Sequence, residues 1–216
     1  MILTNRLFTR REPELDAKSV YIFCEGKKRE YQYFQYFKGI DSKINVVVYP
    51  LQDNEDNSPT GLYKIATNCL VKSESNPSPA YELIDGDVVW FVIDTDKWEG
   101  KVVELRALCA DHHDWQIAQS NPCFEVWLYH HLFAEKASFN WMEQCVEWKG
   151  FLGQKIPGGF DSKRHPIYLK DAIENASNNF SETDGQPDVS TTQVFQLGEV
   201  IYAVCKWKID HILNRI

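Results

Sequence analysis

None of the six cysteines, at 24, 69, 109, 123, 145 and 205, stands in a CxxC pair, so the commonest spacing for a dithiol redox centre or a zinc ribbon is missing. Each lies in or beside an apolar segment, which in a chain of this size reads as a reduced, buried thiol. No apolar run approaches the roughly 18 residues that a membrane-spanning helix needs. No leader-like segment precedes the first strand, and a cytoplasmic protein without a membrane partner is the expectation. Positive charge is also in deficit. The formal net charge is -8, which makes the chain a poor non-specific binder of phosphate backbones. Any nucleic acid must then be held by a local basic patch and by metals. Internal repeats and low-complexity tracts are absent. The lack of a nucleotide-binding signature or a second catalytic domain counts against nucleotidyl transfer.

What is present is the material of an ordered core: 216 residues, 44% hydrophobic and 13% aromatic. After a polar, basic N-terminal stretch come SVYIFC, INVVVYPL, DVVWFVID and DWQIAQS, four short apolar runs that read as strands. Between them KKREYQYFQYFKGI, GLYKIATNCLVKS and WEGKVVELRALCA read as helices. The order β-α-β-α-β-α-β predicts a parallel sheet with crossover helices. The unbroken apolar character of DVVWFVID fits a strand buried on both faces.

The second half is helical in pattern. SNPCFEVWLYHHLF is expected to start with Asn121 as N-cap and Pro122 as the first helical residue. SFNWMEQCVEWKGFL, IYLKDAIENASNNF and the long TTQVFQLGEVIYAVCKWKIDHIL follow as helices, separated by the loops IPGGFDSKRHP and SETDGQPD. The expected organisation is an α/β core over 18–133 with a helical extension over 134–216 packed on it.

The third strand drives straight into two carboxylates, Asp94 and Asp96. Residues i and i+2 of an extended chain share a face, so both can aim at one hard cation. The first strand ends in Glu25–Gly26. Sites of open α/β folds gather at the carboxyl ends of strands. If the first and third strands are neighbours, Glu25, Asp94 and Asp96 form one Mg²⁺ or Mn²⁺ site. Crowded like charges repel, so removing Asp94 should abolish metal binding and raise the stability of the metal-free protein. Lys27, Lys28 and Arg29 follow at once, where a helix N-terminus and its cations would attract phosphate. Lys27 and Arg29 are the expected substrate contacts. Trp98, beside the acidic pair, either stacks on a base or packs on the next helix.

CEG at 24–26, Glu30 with Tyr33–Phe34, DTDKW at 94–98 and SNPCFEVWLYHHLF at 120–133 together resemble the RloB family. The resemblance runs from about residue 18 to the closing helix, and SNPCFEVWLYHH is its most specific element. Arg29 stands where the family usually has threonine. The resemblance implies a TOPRIM-like fold: a parallel sheet of about four strands with a helical C-terminal half. It further implies catalytic roles for Glu25, Asp94, Asp96 and Glu125, an active-site imidazole at His130 or His131, and a substrate contact at Asn121. Glu25 would serve as general base or metal ligand.

The function so implied is a metal-dependent endonuclease that hydrolyses phosphodiesters of DNA or RNA, tRNA included, in bacterial anti-phage defence. An ATPase from the same locus would control it. The alternative is a catalytically weak TOPRIM-like subunit that regulates or scaffolds such an ATPase complex.

Overall fold

The computed structural model describes residues 7–95, 98–137 and 144–215. Five strands form the main sheet in the order β2-β1-β3-β4-β7. β1 (Lys18–Cys24) lies parallel between β2 (Ile44–Val48) and β3 (Val88–Asp94), and β4 (Trp115–Asn121) runs parallel to β3. The expected adjacency of the first and third strands is therefore real. β7 (Thr191–Thr192) is an antiparallel addition, pairing Ser120 with Thr192 and Asn121 with Thr191. A small hairpin, β5 (Glu182–Thr183) and β6 (Gln186–Pro187), occupies what reads in sequence as a plain turn-rich link.

Alternation along the strands sorts side chains to two faces. Tyr21, Phe23, Val89, Phe91 and Ile93 pack under α2 (Pro59–Leu70) and α3 (Glu99–Cys109), against Leu62, Ala66, Val102 and Leu105. Val20, Ile22, Cys24, Trp90 and Val92 point the other way, into the larger core. That core is filled from α1 (Arg29–Gln35), α4 (Glu125–Tyr129), α5 (Cys145–Lys155), α6 (Leu169–Asn178) and α7 (Val194–Leu213). Burial on both faces explains the continuous apolar reading of the central strands. Trp90, Trp127 and Trp148 are among the largest fully buried side chains, each worth on the order of 2–3 kcal/mol of burial or more.

Local chemistry sets several boundaries. Ser58 caps α2 by accepting from Gly61 N–H at 3.3 Å, with Pro59 at the first helical position. α5 opens on a reciprocal pair in which Gln144 N–H donates to Glu147 Oε2 at 3.1 Å. The helix expected to start at Asn121 starts later. β7 extends the sheet edge, Ser190 N–H donates to the Asn121 carbonyl at 2.8 Å, and Asn121 is held as the last residue of β4. α4 then runs only from Glu125 to Tyr129, and the chain continues in turns. Likewise α1 is shorter than its apolar spacing suggests. From Tyr36 the backbone tightens to i→i+3 bonds, Tyr36 to Tyr33 and Phe37 to Phe34, and Gly39 follows at φ +71°.

Candidate functional site: a carboxylate cavity at the ends of β1 and β3

Parity continues past the ends of the strands. Asp94 falls in step with Trp90 and Val92, on the face covered by α1, α4 and α5. One residue past β1, Glu25 reaches across the edge and accepts from the Asp94 backbone N–H at 3.2 Å. Glu25 N–H in turn donates to the Val92 carbonyl at 3.1 Å. The Asp94 carboxylate is oriented from the opposite side, where its Oδ1 accepts from Phe124 N–H at 2.8 Å.

These residues floor a cavity of about 330 Å³ lined by Glu25, Gly26, Lys27, Arg29, Glu30, Asn57, Asp94, Glu125, Cys145 and Lys149. Four carboxylates thus face one space. Glu30 sits on the first turn of α1 and is nearly buried, and Glu125 opens α4 with 2% of its surface exposed. The crowding shows in their protonation. Burial, followed by the charges of Glu30 and Glu25, holds the Asp94 carboxyl well above the usual carboxylate range. Burial, then Glu125 and Glu25, raises Glu30 to about 7. Glu30 closes over Gly26: a Cβ there would lie 1.8 Å from Glu30 Oε2, so any side chain at 26 displaces the Glu30 carboxylate.

The cations of the site are partly engaged. Lys27 Nζ bonds Asp53 Oδ1 at 3.0 Å, and Arg29 Nε approaches Glu125 Oε1 at 3.6 Å. Glu125 Oε1 has no hydrogen-bond partner among the described residues. α5 presents Cys145 and Lys149 on one face, at i and i+4, so both reach the cavity.

The structure therefore gathers Glu25, Asp94, Glu125, Lys27 and Arg29 and adds Glu30, Cys145 and Lys149, which the acidic motif at 94–96 does not reveal. Only Glu30 carried a signal, as part of the family pattern. Asp96 lies outside the described residues. His130 and His131 do not line the cavity. Both are buried; His130 Nδ1 faces the Phe133 carbonyl at 3.3 Å, while His131 lies between the Trp127 carbonyl, 3.1 Å from Nδ1, and Tyr33 Oη, 2.9 Å from Nε2. Burial lowers them to about 4 and about 3 respectively. Asn121 also points elsewhere, donating from Nδ2 to the Pro187 carbonyl at 2.8 Å. Trp98 packs on the α2–α3 side, and Lys101 Nζ lies 4.8 Å from its ring centre.

A polar chain fixes the β3 turn. Thr95 N–H and Oγ1 donate to the Ser120 carbonyl at 2.9 and 2.8 Å. Gln119 Nε2 donates to Thr95 Oγ1 at 2.9 Å, and Arg106 holds Gln119 and Gln193 at 2.7 and 3.0 Å. Carboxylate oxygens are the donors that hard divalent cations take, and Glu25 and Asp94 are the pair at these strand ends that could hold one.

No helix among the described residues is long and apolar enough to cross a membrane. No curated protein and no solved structure matches the chain. The family model for RloB-like protein matches it over residues 20–201, and the chain belongs to the RloB-like family.

Proposed function

We propose that this protein is a Mg²⁺- or Mn²⁺-dependent endonuclease built on a TOPRIM-like core. The observation that carries the reading is the meeting of Glu25 and Asp94 at adjacent strand ends, in a cavity that also holds Lys27, Arg29 and Lys149. Glu25 and Asp94, with Asp96, would hold the cation. A divalent ion there supplies Lewis acidity toward a phosphoryl oxygen and acidifies water. The chain's own residues do the rest. Lys27 and Arg29, at the cavity rim, bind and orient the phosphate backbone. Glu30, buried on the first turn of α1 and facing the same cavity, would hold or pass a proton at its carboxylate oxygens. Phe124 N–H and Asp94 N–H fix the carboxylates so that little reorganisation is needed on binding. Control by an ATPase of the same locus belongs to this proposal, as does the placement in anti-phage defence.

The test is cleavage of labelled RNA, tRNA and DNA with Mn²⁺ or Mg²⁺, with and without that ATPase. D94N and E25Q should each lose at least about a hundredfold in rate. If wild type cuts nothing in any combination yet co-purifies with the ATPase, the scaffold reading replaces this one.

A further inference from the structure

The cavity wall holds a second donor set of different chemistry. Ligand atoms of Cys123, Glu125 and Cys145 all lie within 4.8 Å of one another. Cys145 Sγ is 3.8 Å from Glu125 Oε2, and Cys123 Sγ is 4.0 Å from the Cys145 carbonyl. Exposure is 0% for Cys123, 2% for Glu125 and 7% for Cys145. Two thiols and a carboxylate thus meet below the surface, and Glu125 Oε1 has no hydrogen bond among the described residues, only the Arg29 Nε contact at 3.6 Å. We propose that Cys123, Cys145 and Glu125 form a site for a zinc-class divalent ion, distinct from the hard-cation site of Glu25 and Asp94.

The geometry suits that ion. Bond lengths of about 2.3 Å to sulfur and about 2.0–2.2 Å to oxygen put two sulfurs and an oxygen in tetrahedral positions roughly 3.5–3.8 Å apart, so the trio, within 4.8 Å now, must close by no more than about 1.3 Å. Cys123 lies in the β4–α4 connection, Glu125 opens α4 and Cys145 opens α5, so the site joins two segments that are distant in sequence. Cys145 and Glu125 line the cavity, whereas Cys123 is fully buried and does not. The fourth position therefore opens toward the cavity, as in zinc sites that keep one position for water or substrate. Two thiolates and a carboxylate carry three negative charges. The ion offsets two, and Lys149 beside Cys145 and Arg29 beside Glu125 offset the remainder. On loading, the two S–H bonds break, both protons leave to solvent, and two metal–sulfur bonds and one metal–oxygen bond form. Closure of the thiol pair to a disulfide by a peroxide is the competing chemistry, and it leaves the Glu125 carboxylate unexplained.

The experiment titrates the reduced, metal-free full chain with Co²⁺ and records absorption. A thiolate-to-cobalt charge-transfer band in the near ultraviolet is expected at one equivalent, displaced by Zn²⁺ and indifferent to excess Mg²⁺. C145S should lose most of the band and C123S/C145S all of it, while E125Q, which keeps both thiols, should bind at least about tenfold more weakly. Circular dichroism establishes that each variant is folded, and E125Q serves if the buried Cys123 substitution does not fold. D94N and E25Q should keep the band, so failure of the nuclease reading leaves this outcome untouched. Absence of the band in wild type, an undiminished band in folded C145S, or conversion of the two thiols to a disulfide without metal uptake overturns the proposal.

Discussion

The Glu25 carboxylate accepts a hydrogen bond from the Asp94 backbone N–H at 3.2 Å, tying the end of β1 to the end of β3. Asp94 is anchored in its turn by Phe124 N–H at 2.8 Å, so one carboxylate links the sheet to the approach of α4. Relief of repulsion alone predicts that losing Asp94 stabilises the metal-free fold, but the anchor adds an opposing effect. D94N keeps an acceptor for Phe124 and removes the charge; it should unfold at the same or a higher denaturant concentration than wild type. D94A leaves a buried N–H unpaired and should cost about 1–3 kcal/mol relative to D94N. Both should lose Mg²⁺ or Mn²⁺ affinity by calorimetry. Equal unfolding midpoints for the two variants would remove the anchoring role, and wild-type affinity in either would remove Asp94 from the metal site.

Glu30 sets an opposite dependence on pH from that of an ordinary ion-paired carboxylate. Its folded value, about 7, exceeds the ordinary 4.5. The stabilisation is therefore complete below pH 4.5 and is lost as pH rises through about 7. In chelator-treated protein, urea midpoints for wild type should fall relative to E30Q between pH 5 and roughly 7.5. Parallel profiles for the two proteins would show that Glu30 is already ionised across that range.

The histidines work in the other direction. His131 is lowered to about 3 from 6.5 by burial, so the fold needs its neutral form. Stability is present above pH 6.5 and declines as pH falls toward 3. At pH 5 the penalty from His131 should be about 2 kcal/mol. H131Q can still accept from Tyr33; it should be less stable at pH 7.5 but lose less on acidification. Cleavage by H131Q, compared at a temperature where it is folded, should stay within a few-fold of wild type because the imidazole lies outside the cavity. A loss near that of D94N would restore an active-site role.

Lys27 and Arg29 line the cavity, whereas Lys28 is exposed beside it. α1 is only seven residues long and begins at Arg29, so the side-chain charges rather than a helix terminus carry phosphate binding here. Anisotropy of a labelled oligonucleotide in Ca²⁺, taken over a salt series, should show weaker binding for K27A/R29A and a salt slope smaller by roughly 0.7–0.9 per lost contact. K28A, K170A and K208A should behave as wild type. An unchanged slope in the double variant would leave these residues with a solvation role only.

The sequence by itself determined the α/β class, because continuous apolar strands buried on both faces and alternating with helical segments have one economical arrangement. It also placed Glu25 and Asp94 at strand ends, since each follows directly on an apolar run. Strand order was left to the tertiary structure, and only that order turned two separate strand ends into one acidic floor. The motif SNPCFEVWLYHH looked like a continuous helix, but β7 captured the backbone of Asn121 and moved the helix start to Glu125. That shift aimed Asn121 at Pro187 and Glu125 at the cavity. His130 and His131, adjacent to polar chemistry in sequence, turned into the aromatic core where Tyr33 and backbone carbonyls satisfy them. Cys145 and Lys149 carried no local signal, because their partner Glu125 lies about 20 residues away along the chain and only the packing of α5 on α4 joins them. A pattern of periodicity reports which face of an element is buried; which carboxylates, thiols and cations share a cavity is settled by the packing of those faces against one another.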